Sequence, residues 1–183
     1  MIDPLFTLAV QWALGLLLLG AAWHKLRGWQ VFPAIVSDYR LLPGFLVRPA
    51  AMLLVPLEAL LGSTWLLAPY QLLLSGLTAA LLGLYAAAIA INLLRGRRRI
   101  DCGCSFGWNH AAGAGLSWWL VLRNGALAAL AFLPALPQSG RELGVLDGFG
   151  LAAALLLAAL LLLTLGQLRA NRSAMQPWRA THD

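Results

Sequence analysis

Residues 71–94 read QLLLSGLTAALLGLYAAAIAINLL, twenty-four residues without one charged side chain. A helix crosses the hydrocarbon core of a bilayer in about 20 mostly apolar residues, so this stretch reads as a membrane-spanning helix. Four more stretches of the same kind lie on either side of it, near 5–26, 46–68, 115–136 and 148–168. A tight turn around Pro69-Tyr70-Gln71 joins the second span to the third, and Leu155 to Leu163, nearly all Leu and Ala, is the plainest lipid-facing segment. Composition agrees: 61% of the chain is hydrophobic and 11% charged, against about 25% charged residues in soluble domains. The fold class is therefore all-α, a polytopic membrane helical bundle of five spans: a four-helix core plus one. It forms a single integral domain over 1–172 with a polar cytoplasmic tail over 173–183. Met1-Ile2-Asp3-Pro4 carries no Lys or Arg before the first apolar run, so that run reads as a retained helix rather than a secretory signal.

The net charge of +6 is gathered in short loops. Lys25, Arg27, Arg40 and Arg48 flank the first loop, Arg95, Arg97, Arg98 and Arg99 open the third, and Arg169, Arg172 and Arg179 lie in the tail. Five spans put these eleven on one side and Arg141 alone on the other. The positive-inside rule then sets the N-terminus outside and the C-terminus in the cytoplasm. No basic stripe with interleaved aromatics is present, which excludes a nucleic-acid partner and leaves the lipid membrane as the surroundings.

Between spans one and two, Trp29, Phe32, Val36 and Tyr39 recur at helical spacing, as in a short amphipathic helix lying in the interface. In span three, Ser75, Ala79, Gly83 and Ala87 form a stripe of small residues suited to close helix packing within the chain. Trp118 and Trp119 suit an interfacial aromatic belt.

Both cysteines fall in one tripeptide, Cys102-Gly103-Cys104, directly after the arginine cluster. Three readings fit. As a redox pair, one thiolate attacks a partner disulfide and the other resolves the mixed disulfide; nearby arginines favour the thiolate. As a soft-metal site, the pair with His110 or Asp101 holds Cu(I), Zn(II) or Hg(II), although a closed zinc site wants four ligands. As plain packing, they are two small apolar residues beside a loop.

Ionisable groups inside a bilayer are costly and face the bundle interior. Glu58 lies near the middle of span two, Arg123 and Asn124 inside span four, His24 and Lys25 at the end of span one, and Asn92 near the end of span three. Such a set can bind a quinone head group or steer a thiolate. It can equally be architectural, with Glu58 paired to Arg123 or to Lys25. His24 and Lys25 can simply reach the interface from a helix end.

Asn92-Leu93-Leu94-Arg95-Gly96, the arginines, then Asp101-Cys102-Gly103-Cys104-Ser105-Phe106-Gly107, with the later Leu122-Arg123-Asn124, resemble the MauE family of methylamine-utilisation membrane proteins. Lys25-Leu26, Phe32, Val36, Tyr39-Arg40-Leu41-Leu42-Pro43 and Glu58 resemble the wider DoxX-like group. The resemblance implies a helical membrane protein associated with thiol redox. Its client would be the disulfide-rich small subunit of the periplasmic enzyme methylamine dehydrogenase, and its partner a thioredoxin-like protein. Carried over to this chain, Cys102 and Cys104 are the redox pair, and Arg123 and Asn124 match the family's polar pair. Ser105 departs from the tighter Cys-Phe-Gly of the family pattern. The implied client is periplasmic while the charges set the dithiol on the cytoplasmic side; a relay across the membrane, or electron exchange with quinone inside the bundle, reconciles the two.

Overall fold

A computed structural model describes residues 2–67, 72–97, 100 and 115–179. Among the described residues six α-helices follow one another: α1 (Pro4–Arg27), α2 (Phe32–Asp38), α3 (Gly44–Leu67), α4 (Leu72–Leu94), α5 (Trp118–Leu130) and α6 (Val145–Arg179), with a 3-10 turn at Leu133–Ala135 after α5. The all-helical reading holds. Among the described residues four segments are long and apolar enough to cross a membrane: Pro4–Arg27, Gly44–Leu67, Leu72–Leu94 and Trp118–Ala135. The fifth expected span falls in α6, which runs for 35 residues, about 52 Å at 1.5 Å per residue, and so continues through much of the expected tail; its described apolar stretch is Val145–Leu161. The turn expected at residues 69–71 lies outside the described residues.

The local chemistry explains the boundaries. Asp3 caps α1, its Oδ1 accepting from the Leu5 N–H at 2.8 Å, with Pro4 in the first turn. α4 ends in a Schellman motif: Arg97 N–H bonds to Asn92 O at 2.9 Å and Gly96 N–H to Leu93 O at 3.0 Å. Gly96 sits at φ +73, a backbone angle that glycine reaches without a Cβ penalty. The span expected at 115–136 breaks after Leu130 into the 3-10 turn, which contains Pro134.

α1 packs chiefly on α3, and α4 chiefly on α5. The α1–α3 crossing is close because Gly15 and Gly62 face one another. A Cβ on Gly62 would lie 2.9 Å from Gly15 O and 3.0 Å from Leu19 N. Leu14, Leu18, Leu61, Trp65, Leu74, Leu81 and Ala131 form the main core across α1, α3, α4 and the end of α5. Two hydrogen bonds pin the antiparallel registers at one end: Trp65 Nε1 donates to Thr78 Oγ1 at 2.9 Å, and Ser75 Oγ to Ala131 O at 2.6 Å. At that same end Ile2 pairs with Gln138 in an isolated bridge. Arg141 binds both Asp3 Oδ2, at 2.7 Å, and Asp147 Oδ1, tying α1 to α6.

The other end gathers the end of α1, all of α2, the start of α3 and the end of α4. There Arg95 donates to Arg40 O at 3.4 Å, so Lys25, Arg27, Arg40, Arg48, Arg95 and Arg97 share one end of the bundle. This is the segregation that the loop charges called for. α2 begins at Phe32. Phe32 is buried and Val36 and Tyr39 are half-buried, so the stripe packs against the protein, while Trp29 stays exposed. The small-residue stripe on α4 divides: Ser75 is buried, whereas Gly83 and Ala87 are exposed, and a Cβ on Gly83 would meet nothing within 4 Å. It is therefore not a packing seam of this chain along its length. α6 exposes Leu156, Leu157, Leu160, Leu161 and Leu163, as expected of a lipid-facing helix.

Candidate functional site

The basic end holds the anchors of the cysteine segment. Residues 101–114, with Asp101, Cys102, Cys104 and His110, lie outside the described residues. The residues flanking them, Ile100 and Leu116, are buried in one cluster with Ile89 and Leu93, against which Tyr39, Leu120 and Val121 pack. Next to this cluster the Schellman turn aims Arg97 back at α4, where its guanidinium donates to Asn92 Oδ1 at 3.3 Å. Asn92 is fully buried and donates in turn to Ala88 O at 3.1 Å. A buried amide therefore orients Arg97 of the arginine cluster that leads into Cys102-Gly103-Cys104.

Deeper in the bundle, Lys25 of α1 and Glu58 of α3 form a buried ion pair, 3% and 0% exposed. Glu58 Oε1 accepts from Lys25 Nζ and also from Tyr85 Oη of α4, the latter at 2.6 Å. Lys25 Nζ further lies 5.0 Å from the Tyr85 ring centre and 5.6 Å from that of Phe32, so the aromatic faces help to replace its lost water. Of the two partners open to Glu58 in the sequence, Lys25 holds it. His24 is exposed, as a helix-end side chain reaching the interface would be.

Arg123 and Asn124 stand on α5. Asn124 is 3% exposed and Arg123 half-buried. Neither is joined to the Lys25–Glu58 pair by a described hydrogen bond. Among the described residues, Asn124 Nδ2, Arg123 Nε and Glu58 Oε2 are buried without a hydrogen-bond partner. Among the described residues no group of three or more His, Cys, Asp or Glu comes together as a metal site. An apolar groove of about 230 Å³ beside Phe6, Ala9 and Leu151 lies at the opposite end of the bundle and has no part in this chemistry.

Sequence reasoning passed over Tyr85. Its signal was present: a lone tyrosine in the middle of an aliphatic span, where a buried hydroxyl must find a partner. Gly15 and Gly62 were likewise not marked, since each reads as one more small residue until the facing helix is known.

A family model described as methylamine utilisation protein MauE matches residues 3–137. The chain belongs to the MauE family. Methylamine utilization protein MauE of Paracoccus denitrificans is 40% identical over 131 residues, covering 72% of this chain and 69% of that one. The protein of the same name from Methylorubrum extorquens is 38% identical over 143 residues, covering 75% of each chain. No solved structure matches the chain significantly. The MauE match runs from the cap of α1 to the residue beside the Ile2–Gln138 bridge, so it takes in the α1–α5 body and leaves α6 outside. With four apolar spans and this family, the chain is a multi-pass membrane protein.

Proposed function

We propose that this MauE-family chain is an accessory protein of methylamine utilisation that works as a thiol–disulfide relay in the bacterial inner membrane. The N-terminus is periplasmic and the C-terminus cytoplasmic. Cys102 and Cys104 are the exchanging pair. One thiolate attacks a partner disulfide, forming a mixed disulfide and freeing one partner thiol. The second thiolate then attacks the mixed disulfide, freeing the other partner thiol and leaving a Cys102–Cys104 disulfide. Two electrons pass to the partner, and the reverse sequence oxidises it. The partner is thioredoxin-like, and the client is the disulfide-rich small subunit of periplasmic methylamine dehydrogenase.

The observation that carries the reading is the position of both cysteines in one tripeptide, on a segment whose flanking residues Ile100 and Leu116 are held in one buried cluster at the basic end. Arg97, fixed by Asn92, adds positive charge beside that segment, which favours thiolates. The names of the relatives support the pathway.

Serine at both Cys102 and Cys104 is expected to reduce client maturation to background while the protein still inserts. Intact maturation in that variant removes the relay. Stoichiometric copper, zinc or mercury on the purified protein would move the reading to soft-metal transfer. A membrane-impermeant maleimide applied from each side tests the orientation, and labelling only from the periplasm overturns it.

A further inference from the structure

Opposite the basic end, α1 and α6 begin side by side and leave a groove of about 230 Å³ between them. Its walls are Leu5, Phe6 and Ala9 of α1 and Gly150, Leu151 and Ala154 of α6, with Asp3 at its outer end. Leu151 is buried as the floor, whereas Phe6, Gly150 and Ala154 are exposed, so the groove opens sideways along two apolar helices. In a membrane that side faces lipid. Pockets that enclose compact small molecules run to about 300–1,000 Å³; this smaller, open groove suits a single alkyl chain.

The outer end of the groove is charged. Asp3 Oδ2 accepts from Arg141 Nη1 at 2.7 Å, and Asp147 Oδ1 accepts from Arg141 Nη2. Asp147 Oδ2 also accepts from the Gly144 N–H at 2.8 Å. One guanidinium thus faces two carboxylates, and the cluster keeps a surplus negative charge. Asp3, which lines the groove, is the more open of the two acids, its side chain 45% exposed against 17% for Asp147. Arg141 is half exposed and has N–H donors to spare beyond the two described bonds. From Asp3 to Ala9 and from Asp147 to Ala154, both walls descend about 10 Å from these charges into apolar sequence.

An occupant that answers all of this carries an alkyl chain for the groove, a phosphate for Arg141 and an ammonium for Asp3. We propose that the groove and the Asp3–Arg141–Asp147 cluster form a binding site for a phospholipid with a phosphoethanolamine head group. One acyl chain lies between α1 and α6, the phosphate accepts from Arg141, and the ammonium donates to Asp3. Anionic lipids are drawn to basic clusters, and a phosphatidylglycerol brings no cation to the surplus negative charge here. The lipid fills the seam through which α6, outside the family match, meets the body of the bundle.

The test is native mass spectrometry of the full chain, released from nanodiscs of equal parts phosphatidylethanolamine and phosphatidylglycerol with the same acyl chains. Retention of phosphatidylethanolamine near one per chain is expected, with a preference over phosphatidylglycerol of about tenfold, the scale of one hydrogen bond to a charged group. Gly150→Phe fills the groove, since a Cβ there meets nothing within 4 Å, and should abolish retention. Gly76→Phe, at an equally open position on α4, should leave it unchanged. Asp3→Asn keeps a capping side chain on α1 but removes the charge, so this variant should hold both lipids alike. Circular dichroism confirms that each variant is folded, and Asp3→Asn decides the matter if Gly150→Phe is not. Equal retention of the two lipids by the wild type, full retention in folded Gly150→Phe, loss in both Phe variants, or an undiminished preference in Asp3→Asn overturns the inference. A dimer that Gly150→Phe dissolves also overturns it and puts a second copy of the chain in the groove.

Discussion

Lys25 Nζ and Glu58 Oε1 meet inside the bundle from helices that run in opposite directions. From the Gly15–Gly62 crossing, Lys25 lies ten residues along α1 and Glu58 four residues back along α3, about 15 Å and 6 Å toward the same end. Side chains on a helix lean toward its N-terminus. On α1 that lean carries Lys25 inward from the basic end, and on α3 it carries Glu58 outward to meet it. The two leans close the gap of about 9 Å.

Breaking this pair is expected to be far worse than removing it. Lys25→Met or Glu58→Leu alone leaves one buried charge without its counter-charge and should cost about 3–5 kcal/mol. The double variant should recover most of that loss. Unfolding of all four proteins in the same detergent gives the coupling energy, and simple additivity would show that the charges do not interact.

Tyr85→Phe deletes one of the two donors to Glu58 Oε1. Hydrogen bonds to charged groups contribute about 1.5–3 kcal/mol, so this variant should unfold earlier by that amount. It should have a much smaller effect once Glu58 has been replaced. An undiminished effect of Tyr85→Phe in a Glu58→Leu background would contradict the arrangement.

The two glycine environments predict opposite tolerances. At Gly62 a methyl group meets backbone atoms of α1 at 2.9 and 3.0 Å, which cannot move as a flexible side chain would. Gly62→Ala should therefore force α1 and α3 apart at about 1–3 kcal/mol. Gly83→Ala meets open space and should be neutral or slightly stabilising. Thermal unfolding of the two variants side by side is sufficient.

At the end opposite the arginine cluster, the Gly144 N–H and the Arg141 guanidinium hold the Asp147 carboxyl below its ordinary 3.8. Arg141 is correspondingly raised, first by its hydrogen bond to Asp147. A carboxylate with a lowered folded pKa contributes stability above its unfolded value and loses it as pH falls through the folded one. Amide protection at Asp147 and Gly148, whose N–H groups bond to Gly144 O, should hold at neutral pH and fade below 3.8. Asp147→Asn should remove that acid step. Hydrogen exchange at two pH values reads it directly.

The Schellman glycine gives a link between stability and chemistry. Gly96→Ala puts a Cβ on a residue at φ +73, costing about 1 kcal/mol. It should loosen the hydrogen bond of Arg97 to Asn92. The reactivity of Cys102 and Cys104 toward a thiol probe should change in this variant at constant helix content; unchanged reactivity would separate the turn from the dithiol.

Much of this protein was legible before any fold was known. Spans show in sequence because crossing a bilayer demands a local run of apolar residues, and the arginines show because short loops alternate sides. That reasoning located the ends of α1, α3 and α4 to within about two residues and gathered the basic residues at one end. It weakened where the signal was local but the cause was not. Leu130 looked like mid-span, yet the helix gives way to a 3-10 turn beside Pro134, and the stripe through Ser75 and Gly83 turned out to be buried only at its first residue.

Local sequence is enough for the class: a multi-pass helical membrane protein of the MauE family, with its positive charge gathered in a few short loops and both cysteines directly after the arginine cluster in the chain. Which side chains meet was decided by packing. Glu58 could reach Lys25 or Arg123 from hydropathy alone, and the choice fell to Lys25 because Gly15 and Gly62 bring α1 onto α3. Tyr85 became its second donor because α4 returns beside α3 in the register fixed by Trp65 and Thr78. Hydropathy is a property of each segment, whereas pairing depends on the facing surfaces of segments distant in the chain, and only the packed bundle brings those surfaces together.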